Sequence, residues 1–573
     1  MEPVGERSWQ LRPTAVDANP SELAAALAIT PLTARVLLQR GISTVAAGEE
    51  FLRTRLAALP DPFLMRDMEA GVVRLVAAIE ASEAIAVHGD YDVDGISATA
   101  LLVEFLRAIG ATVTYHIPLR LKDGYGLSAE ALEQAAASGV RVVVSVDCGV
   151  SAHAEAELAQ QLGIDLIITD HHQPPDPLPV ACALINPHQI GCEFPDKRLA
   201  GVGVAFFLLV ALRSRLRERG YFASRPEPDL RHALDLVALG TIADIVPLAG
   251  VNRSLTRVGL QVIAGNRPGL VALRAVAGVD EVDCSAVGYR LAPRLNAAGR
   301  IEDAALGVEL LLTSDRKQAA SIATRLDVCN RERQEIERQT LQEAFALAAE
   351  LPESARSIVL SSSDWHPGVI GIVASRLVEK FYRPTILLSI ENGTARGSAR
   401  SIREVHLYQA LHDCAALLVG YGGHAAAAGM SLAVADVDAL RVAFDQAVQA
   451  QAPGVQTPTL DYDGELLLEE LDDASVAELV SLAPFGIGNP APLFRLCHVR
   501  TMGVQTVSDS HLRFTARQDA YSLPCIAFGL AARRNELTAE VDLLVHPEIN
   551  IYKGRRSVQL RVRDWQLSAG GAL

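Results

Sequence analysis

The sequence predicts an α/β protein with a doubly wound parallel sheet, a long connecting helix, a second α/β region and a small C-terminal β-barrel. Three observations carry this expectation. From about residue 84, short apolar runs alternate with helical stretches, the pattern of a parallel sheet covered by helices. Residues 314–350 are one long run with few breakers and many Glu, Arg and Gln, which suits a connecting helix rather than a core element. Beyond residue 458 several short strand-like runs follow one another. At roughly 100 to 200 residues per domain, 573 residues leave room for about three to five domains.

Taken in order, residues 84–88 are apolar and lead into Gly-Asp-Tyr-Asp-Val-Asp-Gly, after which residues 96–109 read as a helix closed by Gly110. Apolar runs follow at 112–117, 140–146 and 165–168, with helical stretches at 129–137 and 152–162. Residues 199–216, 231–242 and 254–264 are helical in pattern and continue this domain to about residue 300. The second α/β region has strands at 357–360 and 384–389 around a helix at 368–382. Residues 451–459 are linker-like, and strands at 497–507, 511–516, 543–551 and 558–563 make the barrel. The predicted bounds are 1–83 for an N-terminal extension, 84–300 for the first domain, 301–350 for the connecting helix, 351–450 for the second domain and 458–573 for the barrel.

Half of the residues are hydrophobic and 21% are charged, which excludes a disordered or low-complexity chain. The formal net charge of −16 argues against coating nucleic acid through bulk positive charge. A polyanion must then be held by local basic patches or by metal ions. The longest apolar run, 201–212, is shorter than the roughly 20 residues of a membrane span, and Glu2 and Glu6 precede no apolar signal region. A cytoplasmic location without a membrane is therefore expected. The eight cysteines form no C-x-x-C pair and read as reduced, with Cys148 a small strand-end filler.

Four predicted strand ends carry metal-type ligands: His88-x-x-x-Asp92-x-Asp94, Asp147, Asp170-His171-His172 and Asp244. A lone strand-end Asp is more often a helix N-cap than a ligand. So many acids and imidazoles at one sheet edge are different, because they stay ionised only with cations among them. Hard divalent ions prefer carboxylates, and the imidazoles lean the set toward Mn²⁺ or another transition ion. Two such ions activate water, neutralise a phosphate and stabilise a leaving oxygen, which is the chemistry of phosphoester or phosphoanhydride hydrolysis. A turn must aim Asp92 and Asp94 to one point, and Gly95 is placed to supply it.

These motifs resemble the signatures of the DHH phosphoesterase superfamily. Further stretches narrow the resemblance to its RecJ family: Arg120 with Lys-Asp-Gly-Tyr-Gly-Leu, Leu-Ala-Pro-Arg294-Leu-Asn-Ala-Ala-Gly-Arg300, Trp365-His-Pro-Gly-Val-Ile-Gly, Gly397-Ser398-Ala-Arg400-Ser, Gly-Gly-His424 and Pro-Phe-Gly-Ile-Gly-Asn489-Pro. Leu119 stands where that family carries Asn. The resemblance implies a DHH catalytic domain, a DHH-associated domain and an OB-fold. It also implies two Mn²⁺ or Mg²⁺ ions, one on His88, Asp92 and Asp147, the other on Asp94, Asp147, His171 and Asp244. Asp170 would then orient His171, while His172 would meet the scissile phosphate. Ser398, Arg400 and Arg120, with one or both of Arg294 and Arg300, would hold a 5′ phosphate, and His424 would abut the active site.

The implied activity is that of a single-strand-specific 5′ to 3′ exodeoxyribonuclease that releases 5′-mononucleotides in DNA recombination and repair. It would act as a monomer, with a single-stranded-DNA-binding protein and a RecQ-type helicase as partners. A rival within the superfamily is a short-RNA or dinucleotide phosphodiesterase, which needs no long region after Pro453. A catalytically dead scaffold would require a lost ligand, and none of the core acids is missing.

Local charge supports a nucleic-acid substrate. Residues 376–403 hold six basic residues against two acids, and residues 491–573 hold eleven against seven. Residues 430–490 hold eleven acids against one basic residue. In the tail, Phe514, Tyr552 and Trp565 are candidates for stacking on bases, though each also reads as core.

Overall fold

The computed structural model describes residues 7–13, 19–119, 126–265, 267–538, 540–552 and 554–568. It divides into two compact units, one of Arg53–Glu332 with Ala483–Pro490, the other of Met1–Leu52, Arg333–Leu482 and Ala491–Leu573.

The first unit is built on a five-stranded sheet of β1 (Ile85–Gly89), β2 (Val113–His116), β3 (Val142–Val146), β4 (Asp165–Thr169) and β5 (Ala183–Ile185), all parallel, in the order β2-β1-β3-β4-β5. Every residue of β1 and β3 is buried, which is why these strands read as unbroken apolar runs rather than alternating ones. The strand order reverses between β1 and β3, and in open parallel sheets the crevice beyond that switch point is where ligands bind.

Among the helices of this unit are α1 (Met68–Glu80), α2 (Val93–Ala108), α3 (Gly201–Glu218), α4 (Leu234–Ala243), α5 (Gly250–Ile263) and α6 (Ala292–Ile301), besides those at Ala129–Ala137, His153–Gln161, Pro268–Ala277 and Ala305–Leu312. The apolar run 201–212 makes up the first two thirds of α3 and is almost wholly buried in this core. No single helix among the described residues is long and apolar enough to cross a membrane. Helix α1 lies against β5, where a Cβ on Gly71 would stand 2.9 Å from Ile185 Cδ1. Residues 53–83 therefore pack with the sheet, and the region before residue 84 is not one extension but two pieces in different units. Helix α7 (Arg316–Ala349) is the connecting helix, and the boundary between the units falls within it.

In the second unit, β6 (Ile358–Ser362), β7 (Thr385–Glu391), β8 (Thr394–Arg400), β9 (Gly420–Gly423) and β10 (Ala427–Ala433) form a sheet in the order β9-β10-β8-β7-β6, with helix α8 (Ile370–Phe381) between β6 and β7. The last six strands are β11 (Glu465–Leu466), β12 (Phe494–Val507), β13 (His511–Gln518), β14 (Tyr521–Ala527), β15 (Val541–Tyr552) and β16 (Arg555–Leu567). Strands β12-β13-β14-β16-β15 close back on β12, a five-stranded barrel with the OB topology and no open edge. Ser8–Leu11 pairs in parallel with Thr459–Tyr462, so the linker-like stretch ends in a strand.

Phe514 and Trp565 are 2% and 1% exposed. Both belong to the barrel core and offer no face to a base. Trp565→Ala is expected to destabilise the barrel by about 3–5 kcal/mol, read as an earlier transition in denaturant by circular dichroism. An unchanged transition with weakened DNA binding would contradict that placement.

Candidate metal centre and phosphate cradle

The turn after β1 carries acids at alternate positions, Asp90, Asp92 and Asp94. Asp92 is the N-cap of α2, its Oδ1 accepting from the backbone N–H groups of Asp94 at 2.9 Å and Gly95 at 3.1 Å. The same side chain joins Asp90 and Asp147 in a group whose ligand atoms lie within 4.8 Å of one another. Gly95 is needed for close approach, since a Cβ there would stand 2.6 Å from the backbone N and O of Asp90. Asp94, 1% exposed, accepts from the N–H groups of Gly201 at 2.6 Å and Val202 at 3.0 Å, which begin α3. That helix is thus capped by a carboxylate from another element.

Asp147 follows β3 in the left-handed region, at φ 61°. Its side chain fits only because residue 201 is Gly, where a Cβ would lie 2.6 Å from Asp147 Oδ1. Gly240 on α4 does the same for Asp94, with a Cβ 2.6 Å from its Oδ1. After β4, Asp170 Oδ1 accepts from the N–H groups of His171 and His172 at 2.7 and 3.1 Å and meets His172 Nδ1 at 2.7 Å, while Oδ2 accepts from Val150 N–H at 3.0 Å. His171 Nε2 then lies 3.2 Å from Asp147 Oδ1 and 3.6 Å from Asp244 Oδ2, Asp244 being the C-cap of α4.

The structure brings together Asp92, Asp94, Asp147, His171, His172 and Asp244, in groups that share Asp147 and His171. It does not bring His88 into any of these groups. His88 Nε2 is 3.1 Å from the Gly126 carbonyl and its ring packs on His116, because it lies within β1, whereas Asp90 lies beyond the strand end. Asp90, which sequence reasoning missed, stands with Asp92 and Asp147 instead. It was visible as the first acid of Asp-Tyr-Asp-Val-Asp.

Burial and mutual repulsion raise the pKa values of Asp94, Asp147 and Asp244. Asp94 is pushed up to about 7 by burial and the Asp92 charge, and Asp244 to about 9 by burial, Asp94 and Asp92. Asp147 is raised by burial and by the same two neighbours. Burial, with the charge of His172, pushes His171 down to about 4, so its imidazole is neutral. Burial opposes charge on His172 too, but the hydrogen bond and charge of Asp170 raise it to about 9. His171 Nε2 and Asp244 Oδ2 are buried and have no hydrogen-bond partner among the described residues. A neutral imidazole among converging carboxylate oxygens fits a divalent cation of the Mn²⁺ or Mg²⁺ kind.

Of the predicted phosphate ligands in this unit, Arg294 is engaged internally, donating from Nε to Asp327 Oδ1 at 2.9 Å and from Nη1 to the Arg290 carbonyl at 2.5 Å. Arg300 sits half-buried in the last turn of α6. The same helix carries Asn296, also missed, whose Oδ1 accepts from Val93 N–H at 3.1 Å at the start of α2. Arg120 and the Tyr552 side chain lie outside the described residues.

In the second unit, Ser398 and Arg400 are alternate residues of β8 on one face, with Arg400 Nη1 donating to Ser398 Oγ at 3.1 Å. The backbone N–H groups of this stretch are taken up by the sheet, because β8 is paired on both sides, by β7 and β10. The N–H groups beside the pair belong to the first turn of α8. There Gly371 comes so close that a Cβ would lie 2.8 Å from Ser398 Oγ and 3.1 Å from Arg400 Nη2. A helix N-terminus with a hydroxyl and a guanidinium is an anion site. His424 is exposed in the turn between β9 and β10. Exposed aromatics on the barrel include Tyr521, 49% exposed, and Phe528, 56% exposed and edge-on to His511. Phe528 borders a cleft of about 670 Å³ with Arg7, Lys380, His546, Arg561 and Arg563.

Three family models match the chain: the DHH family N-terminal domain at residues 84–241, the DHHA1 domain at 354–450 and the RecJ OB domain at 462–564. The chain is 38% identical over 556 residues to the single-stranded-DNA-specific exonuclease RecJ of Bacillus subtilis, spanning 94% of this chain and 69% of that one. To the Escherichia coli protein of the same name it is 40% identical over 572 residues, spanning 96% and 98%. The crystal structure of RecJ from Thermus thermophilus in complex with Mn²⁺ matches with a TM-score of 0.83 at 31% identity, over 99% of this chain and 80% of that one. Its complex with Mg²⁺ matches with a TM-score of 0.77 at 30% identity, over 99% and 79%.

Gly201→Ala should displace Asp147 and weaken Mn²⁺ binding by about 10- to 100-fold in calorimetric titration, with the circular dichroism unchanged. Retained affinity would show that the Asp147 position is not critical. Metal-free protein should lose stability as pH rises from about 7 to 9. In that window the folded chain releases protons from Asp94, Asp244 and His172, whose folded pKa values lie above their unfolded ones, and the neutral His171 contributes no further change. Mn²⁺ should raise the melting temperature more at pH 9 than at pH 7, whereas a metal-free melting temperature that climbs with pH would refute the assignment.

Proposed function

This chain belongs to the RecJ family of single-stranded-DNA-specific exonucleases, and on that footing we propose that it removes 5′-mononucleotides from the 5′ end of single-stranded DNA by two-metal-ion phosphodiester hydrolysis. The observation that carries the reading is the set of buried acids around a neutral His171 at the switch point of the sheet. Asp90, Asp92 and Asp147 would hold one ion, and Asp94, His171 and Asp244 the other. Bound there, Mn²⁺ or Mg²⁺ supplies charge against the phosphate and makes water nucleophilic near neutral pH.

The protein's own groups do the rest. Asp170 keeps His172 charged and oriented, so that its partly exposed ring can donate to a phosphate oxygen. Ser398, Arg400 and the first turn of α8 hold a terminal phosphate, which would set the polarity, while Arg300 and Arg120 are phosphate ligands proposed for the first unit. The cleft beside Phe528 grips the strand through arginines and aromatic faces, which gives binding indifferent to sequence and sensitive to salt. A dinucleotide phosphodiesterase would have no use for such a cleft. The reading also places the chain in recombination and repair, as a cytoplasmic monomer served by a single-stranded-DNA-binding protein and a RecQ-type helicase.

Digestion of end-labelled oligonucleotides with Mn²⁺ tests it. A blocked 5′ end should slow release of mononucleotides at least tenfold while a blocked 3′ end should not, and Arg400→Ala should raise KM with little change in Mn²⁺ affinity. Equal inhibition by both blocks would reject the polarity.

A further inference from the structure

The stretch Ala-Pro-Phe-Gly-Ile-Gly-Asn-Pro, residues 483–490, packs with the first unit although the chain on both sides of it belongs to the second. It lies on the segment that follows Asp244. The Ile487 carbonyl accepts from Leu248 N–H at 2.6 Å. Arg253, 2% exposed, donates from Nη2 to the Ala483 carbonyl at 3.2 Å and from Nη1 to the Pro484 carbonyl at 3.4 Å. Asn489 is buried and ties the strap to itself, Nδ2 donating to the Pro484 carbonyl at 2.7 Å beside the Gly486–Asn489 backbone bridge. Glycines let it lie flat: a Cβ on Gly486 would stand 2.8 Å from Leu248 Cδ1, and one on Gly488 3.0 Å from Pro247 Cβ.

The covered segment is one that needs holding. Ile245, next to Asp244, has φ 63°, a left-handed conformation that a β-branched residue resists. At 65% exposure its side chain gains little from burial there. On its other flank the segment is tied by Asn252 Nδ2 to the carbonyls of Arg198 at 2.5 Å and Pro247 at 3.2 Å, and by Val251 N–H to Asp196 Oδ2 at 3.0 Å. Strain of this kind persists only where the surroundings over-determine it.

We propose that residues 483–490 are a positioning strap for the reaction: they hold Ile245 left-handed and so keep the Asp244 carboxylate beside Asp94 and His171. The proposal rests on the reading of Asp244 as a metal ligand. Leu248, Arg253 and the strap act through that one carboxylate. A glycine at 245 adopts the same backbone at no cost, so it should make the strap dispensable.

The test is Mn²⁺ titration of the full-length protein by electron paramagnetic resonance, with kcat and KM on single-stranded DNA alongside. Gly486→Val should weaken one Mn²⁺ by about tenfold or more, lower kcat at limiting Mn²⁺ and leave KM unchanged, with excess Mn²⁺ restoring kcat. Ile245→Gly in the same background should recover Mn²⁺ affinity to within about threefold of the unmodified protein. Should Gly486→Val not fold, Asn489→Ala carries the same comparison with a smaller change of volume. Unchanged Mn²⁺ binding in a folded strap variant, or a double variant no better than the single one, would overturn the proposal. Asp244→Ala separates the two ideas, because undiminished Mn²⁺ binding there would sink the ligand reading itself.

Discussion

Carboxylates buried at one sheet edge repel one another, and the first unit is arranged around that repulsion. Asp90, Asp94 and Asp147 are almost wholly buried, and Asp92 and Asp244 join their groups. Protons can quiet such a cluster, and cations can do so with greater charge. Each neighbouring feature serves one of those acids. The first turn of α3 donates to Asp94, Gly95 admits the backbone of Asp90, Gly201 admits the side chain of Asp147, and Gly240 admits that of Asp94. Even the histidines divide the labour, one neutral beside the acids and one charged on Asp170.

The net charge of −16 has a different meaning once it is located. Eleven acids lie in residues 430–490, and several more form the buried cluster, where metal ions would offset them. The positive groups sit where a phosphate backbone would be handled: Ser398 and Arg400 beside the start of α8, and the cleft lined by Arg7, Lys380, Arg561 and Arg563. Indiscriminate coating of DNA is what the composition excludes. Capture of an end by a few arginines and metal ions is compatible with it.

The parallel sheet was legible because its strands β1 and β3 are buried on both faces and read as plain apolar runs. Strands β8, β9 and β10 were not, because Thr-Ala-Arg-Gly-Ser-Ala-Arg, Gly-Tyr-Gly-Gly and Ala-Ala-Gly-Met-Ser-Leu-Ala have the small residues of turns. The Asn392-Gly393 pair, both at positive φ, was the overlooked hairpin signal. Strand β14 was hidden by Pro524. In the site, the resemblance assigned His88 as a ligand, whereas the residue grouped with Asp92 and Asp147 is Asp90, which lies beyond the strand end. Gly95 looked like a residue chosen for backbone freedom, and proves to be one chosen for contact. Phe528, Asn296 and the 483–490 strap depend on tertiary neighbours, so no local pattern could assign their roles.

The central claim is that two divalent ions occupy the carboxylate cluster. Anomalous diffraction at the manganese edge from crystals soaked in Mn²⁺ tests it most directly. The account predicts two peaks, one among Asp90, Asp92 and Asp147 and the other among Asp94, His171 and Asp244. No peak there, or peaks only at other acidic groups, would contradict it.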